Sequence, residues 1–303
     1  MKGVSLTPQP ENFQLIGLPA GDAQPKPQPR PSGIRNRVLF FLVAWAIVLL
    51  PFLFWRSTWF GRQLPDDQLM EYLHDEQKPR HIQHALVQLG ERMARKDASA
   101  QRFYPDILRL KDHRLEEIRN TDAWIMGQDT TRPEFHQALR EMLKDSSPTV
   151  RANAALALVR FGDDAGHPEL LRMLAPVQIT VPQAGRVVDV ASAGTAVREG
   201  GLLVQIETGG KTLDVRSPIN GRVRMVNAQK NSQVAAGSEV AVVDPAAEQI
   251  WEALRGLYVI GRMEDLTAVR AYLRPLPDIP DRVRQQASLT EGAILERAKA
   301  QPQ

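Results

Sequence analysis

The sequence predicts a multi-domain α + β chain: one transmembrane helix, an α-solenoid of helix pairs, and a small all-β domain inserted into the solenoid. Three observations predict this. An uncharged apolar run lies near the N-terminus. Helical apolar spacing punctuated by glycines recurs in two stretches. Between those stretches, a valine-rich block repeats its own pattern once.

Composition bounds the reading first. The chain has 303 residues, 43% hydrophobic and 24% charged. At roughly 150 residues per domain this allows about two domains with attachments. There are no cysteines, which excludes disulfide scaffolds, thiolate zinc sites, cysteine nucleophiles and iron–sulfur clusters. The net charge of +3 sits in residues 1–37, where five basic residues face two acidic ones. The remaining 33 basic and 33 acidic residues balance. A nucleic-acid partner needs a basic stripe on the folded part, so none is expected.

Residues 38–55 read VLFFLVAWAIVLLPFLFW, eighteen residues without a charge. At 1.5 Å per residue they span roughly 27 Å, close to a bilayer's hydrocarbon core. Trp55, Trp59 and Phe60 cluster at one end, where an interfacial aromatic belt would lie. A cleaved signal peptide has a shorter apolar region and a small-residue cleavage site. Here 37 residues precede the run and WRSTWFGR follows it, so an uncleaved transmembrane helix is expected over 38–60. Arg30, Arg35 and Arg37 before the run, against Arg56 and Arg62 after it, favour a cytoplasmic N-terminus. In a Gram-negative host the body is then periplasmic. Residues 1–37 hold seven prolines and form no core; they are expected to be a disordered, basic, proline-rich tail.

Helical text fills residues 65–177. Ile82, Ala85, Leu86, Leu89 and Met93 fall on one helix face. YPDILRLK then leads into HRLEEIRNTDAWIMG, and FHQALREMLKD into SSPTVRANAALALVRFG, with Val150, Ala154, Leu158 and Phe161 on one face. Gly90, Gly127 and Gly162 fall late in the second helices, 37 and 35 residues apart. A helix pair repeating at roughly 30–45 residues marks an α-solenoid. The pattern returns over 246–298: Ile250, Leu254, Leu257 and Tyr258 share a face that stops at Gly261, and Val283, Ala287 and Ile294 share another. Gly162 and Gly261 are 99 residues apart; removing the 68-residue β block leaves 31, one repeat. The block therefore interrupts one repeat, between HPELLRML and EQIWEALRGL. The unit SSPTVRANAALALVRFGDD, with Asp145, Pro148, Val150, Arg151, Ala154, Ala155, Leu156 and Gly162, resembles the second helix of a HEAT repeat of the phycobilisome-lyase type. The resemblance implies a scaffold that binds through extended surfaces.

Residues 178–245 carry no helical period. Pro182, Gly185, Arg186, Val187 and Val190 recur as Pro218, Gly221, Arg222, Val223 and Val226 at an offset of 36. After a one-residue slip, Gly200, Leu203 and Ile206 recur as Gly237, Val240 and Val243. Two interlocking halves of a small sandwich are expected. VRSPINGRV at 215–223, PQAGRVV at 182–188 and VAAGSEV at 234–240 resemble a biotinyl/lipoyl-like domain, the barrel-sandwich hybrid also found in membrane-fusion adaptor proteins. In carriers of that family a lysine at the tip of the central hairpin is modified. Counting back from Ser217 and Pro218, that place falls on Gly210, and Lys211 is one residue late. A hairpin presents side chains in a fixed register. No cofactor is therefore expected, with a carrier domain modified at Lys211 as the alternative. Adaptors of the family usually insert a long helical hairpin at this tip, and here the two halves join directly.

No catalytic or metal-binding constellation emerges. GGKT at 209–212 resembles the end of a P-loop, but Gln205 stands where that loop needs glycine, and LDVRSP reads as a strand. His74, His81 and His84 lie close without a completing carboxylate motif. Asp163, Asp164, His167 and Glu169 read as turn and cap residues. Arg151 is expected to brace neighbouring repeats, and Arg186 and Arg222 to follow turns at equivalent corners. The function expected is a non-enzymatic, membrane-anchored adaptor or scaffold for an envelope protein assembly, in transport or secretion. Its partner is an envelope or transporter protein, docked on the tip Thr208, Gly209, Gly210 and Lys211 or on one face of the repeats, and a homo-oligomer is the further expectation.

Overall fold

A computed structural model describes residues 34–59, 63–275 and 279–300. The proline-rich tail over 1–33 and the side chains of Trp55 and Trp59 lie outside the described residues. The chain divides into two units, residues 1–62 and 63–303.

The described part of the first unit is one helix, α1 (Ile34–Trp59). Among the described residues, no helix is long and apolar enough to cross a membrane. This departs from the membrane-spanning helix expected over 38–60.

In the second unit, helices pair along the chain. α2 (Asp66–Leu73) packs on α3 (Pro79–Ala94), and α4 (Tyr104–Leu110) on α5 (Glu116–Met126). α6 (Pro133–Met142) packs on α7 (Pro148–Arg160), and α8 (His167–Leu174) on α9 (Ala247–Ile260). α10 (Leu266–Arg270) packs on α11 (Asp281–Ala300). The second helices of the pairs, α3, α5, α7, α9 and α11, stack in a row. Proline opens five of the helices, where its missing N–H has no partner to lose: Pro79, Pro105, Pro133, Pro148 and Pro168. Ser147 also caps α7, its side chain accepting from the Val150 N–H. Gly162 ends α7 in a Schellman turn: at φ +73° its N–H donates to the Val159 carbonyl, and the Asp163 N–H to Leu158. Gly90, by contrast, lies inside α3 and ends nothing. A Cβ there would come within 3.0 Å of the Trp124 ring, so its role is close packing against α5.

The repeats repeat their polar contacts too. Arg119 of α5 donates to the His113 and Arg114 carbonyls, and Arg151 of α7 to the Asp145 and Ser146 carbonyls, each 32 residues on. Arg119 pairs with Asp145 at 2.6 Å and Arg151 with Glu169 at 3.3 Å, so each arginine reaches the following element. Burial pushes the Asp145 carboxyl up, but bonds from Arg119 and the Ser147 N–H outweigh it and hold the group below the usual range. Apolar side chains form two clusters that meet at α7: one over α2–α7, the other over α8–α11.

The β module lies between α8 and α9. Its strands are β1 (Val177–Thr180), β2 (Gly185–Val190), β3 (Ala196–Val197), β4 (Leu202–Thr208), β5 (Lys211–Arg216), β6 (Gly221–Val226), β7 (Gln233–Val234) and β8 (Glu239–Pro245). They form two antiparallel sheets, ordered β1-β8-β6-β3 and β5-β4-β2-β7. Exchanging each strand for its counterpart in the other half turns one order into the other, which is the structural form of the sequence echo. The irregularity between Val187 and Asp189 matches that between Val223 and Met225, offset by 36. The corner bonds match as well. Gly194 N–H donates to Val223 at 2.7 Å, and Asn231 N–H to Val187 at 2.8 Å, with both donors at positive φ. Val181, Val187, Leu203, Ile206, Val223, Val240 and Val243 fill the core between the sheets.

Two short links fasten the module to the helices. β1 starts three residues after α8, and β8 ends two residues before α9. Tyr272 reaches across to donate its hydroxyl to the Leu174 carbonyl at 2.6 Å. Burial, with Asp244 adding to it, pushes that phenol up to about 12. On the other side, Thr149 donates to Glu199 at 3.2 Å. Burial and the nearby Glu116 raise the Glu199 carboxyl.

Candidate docking surfaces

The hairpin expected to dock a partner joins β4 to β5. Thr208 and Lys211 face each other as its last cross-strand pair, leaving Gly209 and Gly210 as a two-residue turn. Their φ values are +56° and +75°, the left-handed pair that a type I′ turn requires. Only glycine takes both places without strain, so the turn chemistry fixes the tip. A Cβ added at either glycine would meet nothing within 4 Å. Lys211 starts β5, exposed and one place past the turn. β5 being a strand also removes GGKT as a phosphate loop, which must open a helix. Beside the tip, Arg186 pairs with Glu207 at 2.5 Å and also donates to Asn231. Arg222 donates to the Gly194 carbonyl. The tip lies at the end of the β4–β5 pair. The links to the helices lie at the end of β1–β8, the equivalent pair of the other sheet.

The remaining polar residues singled out in the sequence are absorbed by the helical framework. His74 pairs with Asp106 at 3.1 Å. His81 pairs with Asp75 at 2.8 Å and stacks on Tyr72, and His84 bonds Gln88. These histidines do not converge on one point. Asp163 accepts from Arg140, His136 and the Ala165 N–H, and the Arg140 guanidinium leads in holding its carboxyl well below the usual range. Asp164 pairs with Arg262 at 2.5 Å. His167 is buried against Asp265 at 2.7 Å, joining the repeats on either side of the β module.

A second surface was not legible in the sequence. Tyr258, expected on the buried face of α9, is 46% exposed. Leu254 and Leu257 use up the buried arc, and Tyr258 turns outward beside Val259. With Trp124 of α5 and Leu289 of α11 they line a groove of about 680 Å³ along the row of second helices. Eight large hydrophobic side chains are exposed among the described residues of this unit, and these four are half of them. Apolar exposure gathered in one place marks a contact surface. The signal available in the sequence was an excess of apolar residues over one face in LYVIG and DAWIMG. Assigning them to a face needed the neighbouring helices.

No family model and no curated protein sequence matches the chain. Thirty-five solved chains match it. One is the Kluyveromyces lactis urea carboxylase, at 26% identity and a TM-score of 0.22, covering 23% of this chain and 6% of that one. Another is a single-chain, multi-domain long-chain acyl-CoA carboxylase, at 19% identity and 0.23, covering 34% and 10%. A third is the complex of CpcE and CpcF of phycocyanin lyase from Nostoc sp. PCC7120, at 14% identity and 0.42, covering 79% and 68%. The chain thus spans about a tenth or less of the two carboxylases and about two thirds of the lyase chain. At these scores the likenesses carry no argument about activity, substrate or partner.

Proposed function

We propose that this chain is a non-enzymatic docking scaffold anchored by one pass in a bacterial inner membrane, with its N-terminus cytoplasmic and its body periplasmic. The observation that carries the anchor is the all-round apolar exposure of α1. Phe40 is 69% exposed, Phe41 63%, Leu42 62% and Leu50 64%, and at 100° per residue these four are spread around the whole helix. A helix apolar on every side is buried in a large protein core or in lipid. The HEAT-like reading of the repeats is supported by the 32-residue recurrence of their arginine contacts. The biotinyl/lipoyl-like reading of the β module is supported by the exchange symmetry of its two sheets. Both readings favour binding over chemistry, by analogy of fold.

The docking element of this proposal is the tip Thr208–Lys211, held away from the links to the helices. The register gives no support to covalent modification at Lys211, so the intact mass of the chain is expected to equal its sequence mass. In-cell crosslinking tests the docking role. A photoreactive residue at the exposed Lys211, which leaves the two-glycine turn intact, is expected to capture an envelope or transporter protein, and one at the buried Leu158 to capture nothing. Equal products from both positions, or none from Lys211, would remove the tip from the proposal.

A further inference from the structure

The row of second helices is bonded unevenly. Asn153 of α7 bonds Asn120 of α5, and Arg160 of α7 bonds Gln128 just past the end of α5. Thr290 and Arg297 of α11 donate to the Leu254 and Tyr258 carbonyls of α9. Among the described residues, no hydrogen bond or ion pair joins α7 to α9: the side-chain bonds of α7 go to α5 and the turn after it, to α8, to the preceding turn and, from Thr149, to Glu199 of the β module, and those of α9 to α8, α11 and itself. This seam falls where the β module interrupts the repeat. Beside it, Gly256 lets α9 settle closely on α8; a Cβ there would come within 2.7 Å of Leu170. The groove opens over that seam, with Ala157 and Gly256 at its floor and Leu156, Val159, Val259 and Leu289 along it.

Charge in the groove is not balanced. Glu252 holds Arg255 at 3.2 Å, and the Arg255 guanidinium also lies over the Trp251 ring. Arg160 has no carboxylate partner among the described residues; it donates to the Gln128 amide oxygen at 3.1 Å. One uncompensated cation therefore borders an apolar channel. From Asn153 to Arg160 the channel follows α7 for about 10 Å, two helical turns.

We infer that the α7–α9 groove receives an acidic amphipathic helix of a partner protein, a reading that rests on the scaffold function proposed above. Its apolar side chains, spaced i, i+3 or i+4, and i+7, lie on Leu156, Val159, Val259 and Leu289. A carboxylate on its rim meets Arg160. A basic helix would place like charges together, and a neutral one would cover Arg160 unpaired; both cost binding energy. The bound helix would complete the row at its unbonded seam.

The test uses the full chain in intact cells, with photoreactive residues placed singly at Val259, at Val87 and at Lys211. Val87 is exposed on α3, outside the groove. The adduct from Val259 is expected to map to an acidic amphipathic helix, with none from Val87. Arg160→Glu should lower the Val259 yield about tenfold and Arg160→Lys should keep it, with unchanged melting temperatures. An adduct to lipid, to a second copy or to a basic segment would overturn the inference, as would a yield insensitive to Arg160→Glu. Capture of a partner from Lys211 with nothing from Val259 would overturn the groove and leave the scaffold standing. Silence at both positions would overturn both.

Discussion

Asp122→Ala is expected to raise the melting temperature at neutral pH, although it deletes a charged group. Asp122 lies in α5, fully buried, and neither carboxyl oxygen has a hydrogen-bond partner. Burial pushes its carboxyl well above the usual range; Arg109 and Lys111 oppose this weakly, and Asp112 adds to it. The next repeat shows what the position accommodates. At an offset of 32, Ile118, Arg119, Asp122 and Ala123 correspond to Val150, Arg151, Ala154 and Ala155, so alanine already fills the equivalent site. Removing an unsatisfied buried carboxyl gains about 2 kcal/mol, or about 5 °C in a unit of this size.

The pH dependence gives the sign. The folded group is raised, so well below the unfolded value of 3.8 both states are protonated and the group costs no ionisation energy. As pH rises above that value the unfolded chain ionises while the folded one does not, and stability is lost until the folded group also ionises. The advantage of Asp122→Ala should therefore be small at pH 4.5 and larger at pH 7.5, read as a difference in melting temperature from the parent. An advantage independent of pH would show that Asp122 titrates normally and has a partner.

Gly221→Ala is expected to unfold the β module while leaving the early helices intact. A Cβ at Gly221 would stand 1.9 Å from the Asp244 carbonyl oxygen, so the β6–β8 pairing must break or shift. Gly185, its counterpart in the other sheet, would meet the Glu207 carbonyl oxygen at 2.6 Å and should respond in the same direction, less severely. Overpacking against backbone costs about 3 kcal/mol or more, since no side chain can move aside. Because repeat arrays open in sections, hydrogen exchange should rise across β1–β8 while α3, α5 and α7 keep their protection. Unchanged exchange in the module would mean that the close approach at Gly221 can relax.

These glycines show what the sequence made legible. The offset of 36 identified Gly185 and Gly221 as equivalent, and the exchange of strands between the two sheets is its consequence. Helix pairing was readable because Ile82, Leu86, Leu89, Val150, Ala154 and Leu158 keep one period and one buried face. A hairpin at Thr208–Lys211 was readable, whereas its type I′ turn appears only in the φ values of Gly209 and Gly210. Asp122 was not legible, because a polar residue in a helix reads as solvent-facing unless its register against the neighbouring repeat is considered. The groove was hidden for the opposite reason. Trp124, Tyr258 and Leu289 are apolar and read as core, whereas only the spacing of α7 and α9 leaves them outside it. The helix α1 was legible as apolar text. What surrounds it is decided by its environment rather than by its own fold.

That environment is the most direct test of the central claim, a scaffold held at a membrane by α1. The full chain and a chain beginning at Gln63 would be expressed in parallel, and their membranes washed with alkaline carbonate. A single cysteine at Ser232, on a chain with no native thiol, would be probed with an impermeant maleimide in intact spheroplasts. The account predicts that the full chain resists the wash and labels from outside, and that the shortened chain is found in the soluble fraction. Full-length protein released by carbonate would contradict the anchor, and labelling only after lysis would contradict its orientation.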